Sequence, residues 1–184
     1  MVGKTCLLLR MADNPINELK ISTIGFSFES VQFTNDEGDT SSVFLWDTAG
    51  QEKFASISKS LLRKAHGALL VYSVESRDSF NRLEKWINDL NDSNTDKIPC
   101  VIIGNKIDVE YRTIDENEAR VFANEMEYPY FECSALNNTS TIKDAFRQLS
   151  KLAIESRMRS PQTDLIPAKK KKCTFLSFFS TLFD

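Results

Sequence analysis

The stretch Val43-Phe44-Leu45-Trp46-Asp47-Thr48-Ala49-Gly50-Gln51 decides the fold of this chain. It is an apolar run that ends abruptly in an acidic residue, and two further runs, 68–72 and 100–103, are apolar throughout. Such continuous runs are typical of strands that are covered on both faces of a sheet. Amphipathic helical patterns at 80–90 and 142–153 alternate with them along the chain. The sequence therefore predicts an α/β fold with helices on both faces of the sheet.

The composition excludes several classes of function. The chain has 184 residues and a net charge of −3, which predicts one domain and argues against a general binder of nucleic acid. Its 4 cysteines form no CxxC pair, so they indicate reduced thiols rather than disulfides or a zinc site. The longest apolar stretch, 174–183, is much shorter than the roughly 20 residues that span a bilayer. The protein is expected to be soluble or peripheral to a membrane.

A short motif, Gly3-Lys4-Thr5, precedes an apolar helical run. In a phosphate-binding loop, backbone N–H groups at a helix N-terminus cradle the phosphates. The lysine reaches the β and γ oxygens there, and the hydroxyl ligates Mg²⁺. The tripeptide alone is a weak signal, since the same residues also begin ordinary helices.

Two more polar motifs each follow an apolar strand. Asp47 to Gln51 fits a loop in which an aspartate supports Mg²⁺, a glycine N–H contacts the γ-phosphate and a glutamine orients the attacking water. Asn105-Lys106-Ile107-Asp108 fits a guanine site, because a carboxylate accepts two hydrogen bonds from guanine that adenine does not offer. The alternative interpretation of the second motif is a capping turn.

The order and spacing of these motifs, with Ser134-Ala135 after them, resemble the small GTPases of the Ras superfamily. The Rab branch is the most similar one, through Ser22-Thr23-Ile24-Gly25, Trp46 to Phe54 and Leu70-Val71-Tyr72. The resemblance implies the P-loop NTPase small-GTPase fold, with a mixed, mostly parallel sheet. It also implies a switch that binds GTP and GDP with Mg²⁺, hydrolyses GTP slowly and regulates vesicle-mediated transport.

The resemblance further implies roles for individual residues and partners. Gln51 is expected to position the attacking water, and Mg²⁺ is expected to be held by Thr5, Thr23 and Asp47. The residues expected to contact the nucleotide are Gly3, Lys4, Thr5, Cys6, Thr23, Gly50, Asn105, Lys106, Asp108, Ser134, Ala135 and Leu136. The implied partners are a guanine-nucleotide exchange factor, a GTPase-activating protein, a GDP-dissociation inhibitor or escort protein, and Rab effectors. The implied location is cytoplasmic, peripheral on the cytosolic face of endomembranes.

Both ends of the chain depart from the family pattern. A small GTPase domain is expected over 1–158, but the strand before Gly3 and the start of the phosphate loop are missing, which predicts a gap in the sheet. Residues 159–184 are predicted to form a disordered tail, because prolines and Lys169 to Lys172 end the helical pattern. Cys173 follows the lysines as a lipidation site would, although it is not terminal. Insertion of the apolar end at a membrane interface is the alternative.

Two other functions stay open at this level. The missing strand favours an interaction module that keeps part of the fold and binds no nucleotide, or a piece of a longer protein. The missing strand weakens the expectation of GTPase activity for the chain as given. An ATP-using P-loop enzyme is disfavoured by Asn105 to Asp108, which suit guanine rather than adenine.

Overall fold

The computed structural model describes residues 2–12, 26–34, 38, 40–48, 62–94, 96–137, 139–159 and 173–180. Helices and strands alternate along most of the chain. The elements are α1 (Lys4–Met11), β1 (Phe26–Thr34), β2 (Thr40–Thr48), β3 (Gly67–Ser73), α2 (Arg77–Asn81), α3 (Leu83–Ser93), β4 (Cys100–Asn105), α4 (Glu116–Glu125), β5 (Tyr130–Cys133), α5 (Thr139–Arg159) and β6 (Cys173–Ser180). The predicted α/β fold class is confirmed.

The strands form one sheet in the order β1-β2-β6-β3-β4-β5. The hairpin β1–β2 is antiparallel, and its register pairs Val31 with Val43. The pairs β2–β6, β6–β3, β3–β4 and β4–β5 are parallel. The sheet is therefore mixed and mostly parallel, as predicted. The carboxyl ends of its parallel strands lie at one edge, where loops of open α/β sheets place their ligands.

The central strands are covered on both faces, which explains their continuous apolar sequences. Every residue of β3 and of β4 is buried. Because side chains alternate along a strand, Leu69 and Val71 pack in one hydrophobic core, while Leu70 and Tyr72 pack in a second. The first core includes α1 and α5, and the second includes α2, α3 and α4. The site described below lies along the end of this three-layer arrangement.

The helices follow the predicted apolar stripes, with small differences at their ends. In α5 the buried positions Ile142, Ala145, Leu149 and Ala153 recur at helical spacing, as predicted. The predicted helix at 80–90 is instead two helices, α2 and α3, which meet at Arg82. The side chain of Ser76 caps α2, and that of Asp115 caps α4 through the N–H of Asn117.

The main difference from the sequence prediction lies in the predicted tail. Residues 173–180, which lie within the predicted tail, form the strand β6. Strand β6 lies between β2 and β3, parallel to both, with Leu45 in register with Leu176 and Leu70 with Phe179. The predicted gap in the sheet is therefore absent. The segment contains three phenylalanines and a threonine, which are enriched in strands, and it supplies hydrogen-bond partners to the backbones of both neighbours.

No helix in the described parts of the chain is long and apolar enough to cross a membrane. The strand β6 is the part of the apolar end of the chain that the structure describes.

Candidate functional site

The site begins at the N-terminus of α1. Gly3 is the N-cap residue of this helix and has φ 86°, in the left-handed region that glycine adopts readily. A Cβ at this position would lie 2.6 Å from Nδ2 of Asn105, so a larger residue would require the Asn105 amide or the turn at Gly3 to shift. The glycine therefore keeps the chain close to the end of β4. Its carbonyl accepts the first turn's hydrogen bond, from the N–H of Leu7, at 3.1 Å.

The next three predicted site residues follow Gly3 in the first turn of α1. Lys4 is buried, with 5% of its surface exposed, while Thr5 and Cys6 are half-buried. Gly3, the N-cap residue, has no side chain with which to cap this helix end. The backbone N–H groups of a first turn lie at the positive end of the helix dipole, which favours a bound anion. A glycine cradle, a lysine and a hydroxyl at such an end suit phosphate oxygens and a hard metal ion.

Asn105, the last residue of β4, connects this helix end to a second loop. Its Nδ2 donates to the carbonyl of Val2 at 2.7 Å. Its Oδ1 accepts from the N–H of Ala135 at 3.1 Å. The side chain is 1% exposed, so both bonds lie inside the protein. Asn105 thereby joins the start of α1 to the loop after β5, and the structure brings these three predicted parts of the site together.

Lys106 and Asp108 follow Asn105 in a turn on the surface. Lys106 has φ 68°, which is unusual for a residue with a side chain. Its ammonium group pairs with the carboxylate of Glu75, and this hydrogen bond holds the pKa of Glu75 below its usual value. The N–H of Ile107 donates to the carbonyl of Cys133 at 3.3 Å. Asp108 is exposed, as a carboxylate that binds a ligand from solvent must be.

The loop after β5 is organised by Ser134, which is buried. Its hydroxyl oxygen accepts from the N–H groups of Leu136 at 3.1 Å and of Asn137 at 3.3 Å. Because the N–H of Ala135 donates to Asn105, a guanine O6 at this N–H would share it in a three-centred hydrogen bond. Leu136, in the same loop, is 60% exposed.

Two further residues, which the sequence pattern does not indicate, hold the site together. Arg10, in the last turn of α1, donates to the carbonyls of Ala135 and Leu136 at 2.8 and 3.1 Å. Glu75 pairs with Lys106 from the turn after β3. Neither residue belongs to a motif, and each bonds to a residue far away in sequence. The local pattern therefore carries no signal for them.

The remaining predicted site residues cannot be compared in the same way. Thr23, Gly50 and Gln51 lie outside the described residues. Asp47 lies in β2 and Cys173 begins β6, but the side chains of both lie outside the described part.

The described parts of the chain contain no group of three or more His, Cys, Asp or Glu side chains that could hold a metal ion. Burial raises the pKa of the Cys100 thiol to about 12, and burial does the same for Cys133. Both thiols therefore stay protonated at neutral pH and are poor nucleophiles.

Comparisons with known proteins agree with this geometry. A family model described as the Ras family matches residues 1–155. The chain is 39% identical over 160 residues to the GTP-binding protein YPTM2 of Zea mays, covering 86% of this chain and 77% of the relative. The Ras-related protein RABD2a of Arabidopsis thaliana is also 39% identical, with the same coverage. The Ras-related protein Rab-1D of Dictyostelium discoideum is 35% identical over 178 residues, covering 94% of this chain and 86% of the relative.

Proposed function

This chain belongs to the Ras family, as a Rab-type small GTPase, and we propose that α1 and the loops after β4 and β5 form its guanine-nucleotide site. Rab-type GTPases bind GTP and GDP with Mg²⁺, hydrolyse GTP and take part in vesicle traffic, and these activities are those of this chain. The proposal concerns which residues carry them. The observation that supports it best is the side chain of Asn105, which bonds both Val2 and Ala135.

At the base end of the site, the proposed roles follow from hydrogen-bonding chemistry. The carboxylate of Asp108 accepts from N1–H and N2–H₂ of guanine, and Asn105 keeps the loops that surround the base in place. The stem of Lys106 packs along the ring, with its ammonium group held by Glu75. The loop at Ser134, Ala135 and Leu136 lies against the O6 edge. Adenine lacks the N1–H and N2–H₂ donors of guanine, so it would leave the carboxylate of Asp108 without partners.

At the phosphate end, the residues of the first turn of α1 bind the charged oxygens. The backbone N–H groups at Gly3 to Cys6 point toward the phosphates, and Lys4 neutralises the β and γ oxygens. Thr5, Thr23 and Asp47 are the residues that would hold Mg²⁺, which neutralises charge on the phosphate oxygens when bound. We assign Gln51 the orientation of the attacking water, and Gly50 a contact with the γ-phosphate.

Two alternatives weighed from the sequence are less well supported. The interaction module without nucleotide rested on a gap in the sheet, and β6 fills that position. The family of the chain also disfavours it. An ATP-using enzyme is disfavoured by Asp108, which is exposed beside the loop after β5 and suits a guanine base.

Regulators and effectors in general follow from the family of the chain. We propose that they include an exchange factor, a GTPase-activating protein, and a GDP-dissociation inhibitor or escort protein, together with effectors on the cytosolic face of endomembranes. The domain division at 1–158 and 159–184 enters this proposal with one change, since β6 joins the sheet of the domain. Lipidation of Cys173 is proposed only for a state in which β6 has left the sheet.

The test is a titration of the full chain with fluorescent GDP in the presence of Mg²⁺, with GTP and ATP as competitors. GTP is expected to displace the probe and ATP is not. Asp108→Ala is expected to weaken binding by more than tenfold, because it leaves two donors of the base unpaired. Asp92→Ala is the matched control, since Asp92 is an exposed carboxylate on α3. Equal displacement by GTP and ATP would overturn the assignment of the site.

A further inference from the structure

Arg10 forms a two-point contact with the loop that follows β5. Its Nε donates to the carbonyl of Ala135 at 2.8 Å, and its Nη2 donates to the carbonyl of Leu136 at 3.1 Å. The guanidinium group thus bonds two successive carbonyls with two of its own nitrogens. This use depends on the rigid planar fork of arginine, which the single ammonium group of lysine does not reproduce.

The loop that Arg10 contacts is also held from two other directions. The hydroxyl of Ser134 accepts the N–H groups of Leu136 and Asn137, which fixes the shape of the loop. The side chain of Asn105 accepts the N–H of Ala135, which fixes the loop to the end of β4. The contact with Arg10 fixes it to α1. Ala135 is therefore held on its N–H side by one partner and on its carbonyl side by another.

These contacts form a closed ring through the site. Helix α1 begins at Gly3 and carries Arg10 in its last turn. From Arg10 the ring passes to Ala135, then to Asn105, and from Nδ2 of Asn105 back to Val2, next to Gly3. A shift of the helix that carries the phosphate-binding turn must therefore move the loop beside the base, or break a hydrogen bond.

We propose that Arg10 is a positioning residue for guanine selectivity, which fixes the O6-reading loop of residues 134–136 relative to the phosphate-binding end of α1. Arg10 itself needs no contact with the nucleotide. Through the ring, the turn of α1 that binds the phosphates and the loop that contacts the base are held at a constant distance from each other. The inference rests on the proposed function, because it takes Ala135 to lie at the O6 edge of the base.

The test compares two nucleotides that differ at O6. The full chain and its variants are titrated with GDP and with 6-thioguanosine diphosphate, which keeps N1–H and the N2 amino group but has sulfur, a weak hydrogen-bond acceptor, in place of O6. Arg10→Met, which keeps the length of the stem, is expected to weaken GDP binding about tenfold, as expected when oriented hydrogen bonds are lost. Binding of the analogue is expected to stay unchanged, so the preference for GDP over the analogue falls by the same factor.

Arg77→Met is the matched control. Arg77 also donates to a backbone carbonyl, that of Thr113, at 2.9 Å, but it lies at the start of α2 and outside the proposed site. The control is expected to keep the full preference for GDP. Arg10→Lys keeps the positive charge but lacks the planar fork of the guanidinium group, so it is also expected to lose most of the preference for GDP over the analogue. It serves as the test if Arg10→Met does not fold.

The outcomes separate the inference from the function on which it rests. An equal loss of affinity for both nucleotides in the Arg10 variants would mean that Arg10 acts through general stability, and would overturn the inference. An unchanged preference would overturn it too. If the unmodified chain shows no preference for GDP over the analogue, reading of O6 at Ala135 fails. If it binds neither nucleotide, the proposed site fails, and the inference fails with it.

Discussion

Ser42 of β2 and Cys173 of β6 lie in register on neighbouring parallel strands. This pairing joins the hairpin β1–β2 to a segment near the other end of the sequence. Through β6 the hairpin is continuous with β3, β4 and β5. The edge at which the nucleotide site is proposed therefore depends on a strand that lies far from every nucleotide motif in the sequence.

The register between Ser42 and Cys173 can be tested with a disulfide bond. Residues in register on adjacent strands have Cα atoms about 5 Å apart, within the range that a disulfide spans. Ser42→Cys is expected to form an intramolecular bond with the native Cys173 on mild oxidation, detected by mass spectrometry of the digested protein. The control is Ser42→Cys combined with Cys173→Ser, which is expected to form no such bond. A cross-link between two chains, or none, would contradict the position of β6.

A membrane role for the same segment is expected to exclude its role as a strand. Once the disulfide has formed, binding to vesicles of anionic lipid is expected to fall, because 173–180 cannot leave the sheet. Reduction of the disulfide is expected to restore the binding seen for the unmodified chain. Flotation with vesicles measures it, and the double variant with Cys173→Ser, treated with the same oxidant, is the control. Undiminished binding by the oxidised protein would show that the segment does not need to leave the sheet.

Replacement of Gly3 is expected to abolish nucleotide binding. Gly3→Ala adds a Cβ at φ 86°, 2.6 Å from the Asn105 amide, so either the turn at the phosphates or the Asn105 side chain that joins the site must move. Gly38→Ala is a matched control, because Gly38 has φ 87° and no atom of the described residues lies within 4 Å of the added Cβ. Both variants are expected to lose about 1 kcal/mol of stability from backbone strain. Calorimetry with GDP should show that Gly3→Ala loses binding and that Gly38→Ala keeps it. Retained binding by Gly3→Ala would contradict the assignment of Gly3 to the phosphate-binding turn.

Gly104 in β4 is expected to tolerate no side chain while Tyr72 keeps its hydroxyl. An added Cβ would lie 2.7 Å from the Tyr72 Oη and 3.2 Å from the Tyr130 Oη, and these two hydroxyls share a hydrogen bond of 2.8 Å. Gly104→Ala is expected to lower the free energy of unfolding by about 1–3 kcal/mol. Tyr72→Phe removes the nearer oxygen, so the double variant should lose less than the sum of the two single changes. Chemical denaturation of the two single variants and the double variant measures the changes in the free energy of unfolding. If the two single changes simply add in the double variant, the close contact is contradicted.

The pair of Lys106 and Glu75 predicts a small dependence of stability on pH. The hydrogen bond from Lys106 lowers the pKa of Glu75, so the folded state holds this proton less tightly than the unfolded state. The stabilisation is therefore present above the ordinary pKa of a glutamate and is lost as pH falls through the lowered folded value. The pair is partly exposed, so its contribution is expected to be about 0.2–1 kcal/mol.

The check is urea denaturation of the unmodified chain and of Glu75→Gln at neutral and at acid pH. The difference in stability between them should shrink as the pH falls. Glu84→Gln, an exposed glutamate in the first turn of α3, is the control. A difference that stays constant or grows with falling pH would contradict the role of the ion pair.

The sequence was sufficient for features that depend on local patterns. The continuous apolar runs of β3 and β4 predicted strands covered on both faces, and the stripe at 142–153 predicted α5, because burial imposes these periodicities directly. The position of Asn105 at the end of a strand was likewise predictable from its motif. These features need no information about distant partners.

The features that the sequence did not predict depend on pairing between distant residues. Strand β6 follows a run of lysines, and that run indicated a disordered tail. What favours a strand there is pairing with the backbones of β2 and β3, which lie far away in the sequence. Arg10 stands in an apolar run and looks like an ordinary surface residue, since its partners are carbonyls after β5.

The most direct test of the central claim is the nucleotide content of the full chain. The protein, purified in Mg²⁺ under native conditions, is denatured, and the released small molecules are separated by liquid chromatography and identified by mass. A guanine-nucleotide site at α1, Asn105 and Asp108 predicts GDP or GTP in an amount equimolar with the chain, released early by chelation of Mg²⁺. Protein that is folded by circular dichroism but carries no nucleotide and takes up none from added GDP, or that carries adenine nucleotide, would contradict the claim.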